Sequence, residues 1–126
     1  MTKTKKNTHN STPLETFEQV AFVEHMESKG IRFFAVPNGC KKTKYQRWQF
    51  QREGLRSGVP DLFILEKSPK GHSFLALEMK RQKGGSLSQS QKGWIDWLDK
   101  NDYAVAVACG CQSAIRILDN YLKGDY

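Results

Sequence analysis

FLALEMKRQ, residues Phe74–Gln82, decides how the rest of the chain is read. Phe74, Leu75, Ala76 and Leu77 form a run without a polar position, which suits a strand covered on both faces of a sheet. Side chains alternate along a strand, so Glu78 and Lys80 share one face, about 7 Å apart, while Met79 points the other way. Why should a buried strand end in a carboxylate and an ammonium side by side? A salt bridge at a solvated strand end is the simplest answer, and such pairs contribute little. The dipeptide Pro60-Asp61, which opens the apolar run DLFIL, points to a second answer.

Asp61–Leu65 reads as another strand, and Ser68–Gly71 supplies turn residues between the two. Counting outward from that turn brings Asp61 to the level of Glu78. Two carboxylates meeting in a partly buried place repel, and one takes up a proton unless a cation intervenes. Oxygen donors with no neighbouring His or Cys suit Mg²⁺ or Mn²⁺. Lys80 beside that pair can orient or deprotonate a water, or stabilise charge on a phosphate. The strand end therefore reads as a metal-dependent hydrolytic site.

Further out, Leu14–Lys29 has helical spacing. Thr12 is a candidate cap, Pro13 suits the first turn, and Glu15 has the capping-box spacing. Phe17, Val20, Ala21 and Met26 form the expected core stripe, and Gly30 ends the helix. Ile31–Pro37 is a strand, followed by a turn at Asn38-Gly39 and a basic helix closing near Gly54. Ser88 caps a helix running to Lys100, with Gln91 at the capping-box position. Tyr103–Cys109 is a fourth strand and Gln112–Leu122 a final amphipathic helix. The pattern predicts an α/β fold over residues 13–126, with residues 1–12 a flexible basic tail.

Composition fits this. The 126 residues are 38% hydrophobic and 11% aromatic, enough for a globular core. No apolar run approaches ~18 residues, so no transmembrane helix is expected. The opening MTKTKKNTHNSTP has no apolar signal region, and a cytoplasmic location follows as an expectation. A net charge of +7 favours polyanionic partners, nucleic acid first. Cys40, Cys109 and Cys111 are odd in number and lack metal-ligand spacing, so they read as buried thiols. Lys41, Lys42, Lys44, Arg47, Arg52 and Arg56, interleaved with Tyr45, Trp48 and Phe50, suggest a helix with aromatics inward and cations on phosphates. Arg81 and Lys83 extend the basic set, and Trp94, Trp97 and Leu98 read as core.

GVPDLFIL, FLALEMK and LSQSQKGWIDWLDKNDYAVAVACG, together with VPNG at Val36–Gly39 and EGLRSGVPD at Glu53–Asp61, resemble the VRR-NUC family of PD-(D/E)XK nucleases. The resemblance runs from Glu15 to Leu122. It implies a restriction-endonuclease-like core with a central mixed four-stranded sheet flanked by helices. It also implies Mg²⁺ or Mn²⁺, and phosphodiester hydrolysis in DNA leaving a 5′-phosphate. Short stand-alone members are phage or bacterial proteins similar to homodimeric Holliday-junction resolvases, so a homodimer acting on branched DNA is expected. By position, Asp61, Glu78 and the carbonyl of Met79 are implied metal ligands, Lys80 the catalytic lysine, and Gln91 the glutamine beside it. A helix-borne acid with a glutamine four residues on matches Glu15 and Gln19, with Glu18 as the competing acid. Asn38, Lys41, Lys42, Lys44, Arg47, Arg56, Arg81 and Lys83 are the expected nucleic-acid contacts. The alternatives are an inactive nucleic-acid-binding module of the same fold, and a basic adaptor for a protein partner.

Overall fold

The computed structural model describes residues 13–37 and 42–126. The elements are α1 (Glu15–Ser28), β1 (Phe33–Ala35), α2 (Lys44–Arg52), β2 (Leu62–Ile64), β3 (Leu75–Lys80), α3 (Gln89–Lys100), β4 (Ala104–Cys109) and α4 (Cys111–Lys123). This is the predicted order, with strands shorter than the apolar runs suggest. One mixed sheet has the order β1-β2-β3-β4. The first two pairings are antiparallel and β3 runs parallel to β4. A parallel pair needs a crossover, and α3 provides it. Among the described residues no helix is long and apolar enough to cross a membrane.

Every residue of β3 is buried, as its uninterrupted apolar start predicts. Leu75, Leu77 and Met79 point into a core with Leu62 and Ile64 of β2, Phe22 and Met26 of α1, and Ala114, Leu118 and Tyr121 of α4. The opposite face of β3 carries Ala76, Glu78 and Lys80. Leu62 pairs with Leu77 in the antiparallel register, so one step outward sets Asp61 across from Glu78. The Val36 N–H donates to the Asp61 carbonyl at 2.9 Å, which carries the β1–β2 pairing to the same level.

Several local expectations fail for physical reasons. The cap of α1 is Leu14, with no side-chain cap bond, while Thr12 lies outside the described residues. The buried stripe of α1 is Glu18, Phe22 and Met26, and Phe17 is 65% exposed. Glu18 is drawn inward by hydrogen bonds described below, which fixes the rotation of the helix; Phe22 and Met26 follow at helical spacing. The aromatics of α2 do not face inward: no residue of that helix is buried, and Tyr45 is 66% exposed. Among the described residues α2 packs against no other helix or strand, so there is no core for its rings to enter. Tyr45 instead meets Trp48 at 5.7 Å, and the Arg52 guanidinium lies 4.8 Å over the Trp48 ring. On α3 only Leu98 is buried; Trp97 is 52% exposed. Cys109 is exposed at the end of β4 and Cys111 is half-buried at the start of α4, so neither is the buried thiol that the sequence suggests. Cys40 lies outside the described residues.

Candidate metal and phosphate site

The C-terminal end of β3 gathers residues from four elements or their flanks. Glu15, Asp61 and Glu78 each offer a carboxylate oxygen, all within 4.8 Å of one another. Asp61 is held by its backbone neighbour: the Met79 N–H donates to its Oδ2 at 2.8 Å. Met79 itself turns its side chain into the core. Glu78 is almost wholly buried. Its Oε2 accepts from Gln91 Nε2 at 2.9 Å and lies 3.5 Å from Lys80 Nζ. Its Oε1 is buried without a hydrogen-bond partner.

Gln91 links this cluster to α3. Its Oε1 accepts from Lys80 Nζ at 3.2 Å and from the Ser88 N–H at 2.9 Å. The Gln91 N–H donates to Ser88 Oγ at 3.2 Å, completing the capping box that the sequence suggests. One amide thus caps the helix and fixes the relative positions of Glu78 and Lys80.

Burial, and then the charge of Asp61, pushes the Glu78 carboxyl up to about 8, against the opposing pull of Lys80. Burial also raises the Glu15 carboxyl; Lys80 opposes this and Asp61 adds to it. Three acids held together at this cost, one with an orphaned buried oxygen, suit a hard divalent cation that takes oxygen donors. The cluster includes no His or Cys. The residues present fit Mg²⁺ or Mn²⁺.

Of Glu15 and Glu18, it is Glu15 that lies in this cluster. Glu18, one turn on, has a different task. Its Oε1 accepts from the Cys111 N–H at 2.7 Å and its Oε2 accepts from Gln82 Nε2 at 2.9 Å. It satisfies the N-terminus of α4, where Gly110 has no side chain to cap with.

Among the expected nucleic-acid contacts, Lys42, Arg47 and Arg56 line one cleft of about 540 Å³ with Ser57, Gly58, Ser88, Ser90 and Gln91. Gln91 therefore borders both the cleft and the acidic cluster. Lys44 is exposed on α2, Lys83 is exposed in the loop after β3, and Arg81 is half-buried beside Lys80. Asn38 and Lys41 lie outside the described residues. Sequence reasoning missed Ser57, Gly58 and Ser90. Gly58 has φ +88°, and a Cβ there would stand 2.5 Å from the Ser90 carbonyl carbon. The glycine just before Pro60-Asp61 was the available signal, since it lets the chain press against the first turn of α3.

The family model described as VRR-NUC domain matches residues 15–112. A solved structure described as a VRR_NUC domain protein is similar with a TM-score of 0.74 and 21% identity, covering 89% of this chain and 90% of that one. The likeness extends to the α/β nuclease-like core. No curated protein sequence matches.

Proposed function

We propose that this chain, which belongs to the VRR-NUC domain family, is a metal-dependent DNA endonuclease that cuts branched DNA. The observation that carries the proposal is the meeting of Glu15, Asp61 and Glu78 beside Lys80, with one buried oxygen of Glu78 unpartnered. Glu15, Asp61, Glu78 and the Met79 carbonyl would hold Mg²⁺ or Mn²⁺. When bound, such an ion supplies Lewis-acid stabilisation of phosphate charge and makes water a better nucleophile at neutral pH. Lys80 uses two of its donor directions on Gln91 and Glu78 and has a third for a water or a phosphate oxygen. Gln91 keeps that ammonium in place. The cations of the adjoining cleft grip the flanking backbone phosphates. Hydrolysis joins water oxygen to phosphorus and releases the 3′-oxygen, leaving a 5′-phosphate.

Resolving a four-way junction takes two symmetric incisions. A two-fold dimer provides both with one interface, and a homodimer belongs to the proposal for that reason. The test is a panel of end-labelled DNAs (four-way junction, flap, nicked and plain duplex) incubated with Mg²⁺, Mn²⁺ or chelator. Cleavage with either metal, lost in chelator and strongest on branched substrates, is expected. DNA binding without cleavage in any metal would favour the inactive binding module.

A further inference from the structure

The basic cleft does not stop at the acidic cluster. It shares Ser57 and Ser90, whose oxygens lie 3.3 Å apart, with a neighbouring cleft of about 400 Å³ that is also lined by Gly93, Trp94 and Trp97. Trp97 is half exposed yet pinned in place. Tyr103 stacks on it at 6.0 Å and 19°, and Trp94 meets it edge-on at 6.3 Å. Gly93 keeps the floor open, since a Cβ there would meet nothing within 4 Å. At the other end, Arg47 Nη1 donates to the Lys42 carbonyl at 3.2 Å, and Arg56 Nη1 to the Gln51 carbonyl at 2.9 Å. Each guanidinium is thereby oriented and keeps further N–H donors for an anion.

Among the described residues the first cleft is lined by Lys42, Arg47 and Arg56 and by no acid, which suits a polyanion, and the second is uncharged and largely aromatic. A supported aromatic next to oriented cations is the chemistry that holds single-stranded nucleic acid, with phosphates on the cations and a base on the ring. Paired bases in a duplex are stacked on one another and offer no free face to Trp97. We propose that the two clefts form one track for an unpaired DNA strand that enters the site beside Gln91. The substrate class is then DNA with a single-stranded segment next to the cut. This rests on the nuclease reading and narrows it.

The test uses fluorescence anisotropy in chelator. The probes are a fluorescein-labelled oligothymidylate of about a dozen nucleotides and a blunt duplex of the same length. Trp97→Ala should weaken oligothymidylate binding about tenfold, the scale of one lost base stack. Trp97→Phe should restore most of it, and affinity for the duplex should not change with either variant. Equal weakening for both probes, or no weakening for either, overturns the track. Wild-type cleavage of a forked duplex in Mg²⁺ is measured in parallel. Cleavage with Trp97-independent binding sinks the track alone; Trp97-dependent binding without cleavage sinks the nuclease reading alone.

Discussion

Replacing Gly58 with alanine should damage stability and catalysis together, and the size of each effect follows from the contact with α3. At φ +88° an alanine is strained, at about 1–2 kcal/mol. Its Cβ would also lie 2.5 Å from the Ser90 carbonyl carbon, 2.6 Å from the oxygen and 2.8 Å from the Gln91 nitrogen. These are backbone atoms and cannot rotate away. Ordinary contact begins at 3.4 Å, so the two segments must part by about 0.9 Å. Overpacking of this kind adds about 1–3 kcal/mol. The sum, roughly 2–5 kcal/mol, is a large share of the ~5–15 kcal/mol that stabilises a typical domain. At about 4 °C per kcal/mol it lowers Tm by roughly 8–20 °C. The parting also carries Gln91 away from Glu78 and Lys80, and a shift near 1 Å can slow a reaction by about 10²-fold. Thermal melts and single-turnover cleavage well below both midpoints measure the two effects. Gly54→Ala is the control: φ is +107° with nothing within 4 Å, so it carries strain without the clash and does not touch Gln91. A Gly58→Ala protein that melts no lower than the control, or cleaves as fast as wild type, would refute this reasoning.

Two further predictions concern the charged cluster. In chelator the protein should lose stability as pH rises from the ordinary carboxylate range towards 8. The folded Glu78 carboxyl holds its proton up to about 8 while the unfolded one releases it near 4.5, so the native state binds more protons across that window. Melting curves at the two ends should show the drop, and Glu78→Gln should shrink it; a Tm that climbs with pH would contradict the burial of this acid. Lys80→Ala should cut turnover by about 10²–10⁴-fold while Mn²⁺ still binds in calorimetry, because the lysine offers no ligand to a cation. Parallel loss of Mn²⁺ affinity and rate would show that Lys80 holds the site together instead of acting on water or phosphate.

How much of this was legible in the sequence depended on how local its cause was. The β2–β3 hairpin could be counted from its turn because two apolar runs flank Ser68–Gly71, and the observed register sets Asp61 opposite Glu78. The α3 cap was visible as Ser88 and Gln91, three residues apart. The rotation of α1 was not, because Glu18 is set by the Cys111 N–H, 93 residues away. Apolar spacing alone favoured Phe17 and Val20, and two hydrogen bonds to one carboxylate outweighed them. The rings of α2 and Trp97 looked like core residues for a related reason. Helical spacing shows that residues share a face, but burial needs a partner surface, and α2 has none among the described elements. The two clefts adjoin where Ser57 meets Ser90, at 3.3 Å between their oxygens, a close approach that no periodicity could suggest.

The account turns on the carboxylate cluster, and Asp61 is the member to remove. Its Oδ2 takes the Met79 N–H and it stands beside Glu78 and Glu15, and it is not among the residues that line the basic cleft. Single-turnover cleavage of a labelled forked duplex in Mg²⁺, wild type against Asp61→Ala, with binding of the same fork measured on the same samples, is the direct measurement. Binding should persist, or tighten as a negative charge is lost, while cleavage disappears. Cleavage by Asp61→Ala at close to the wild-type rate would contradict a metal-dependent site at the end of β3.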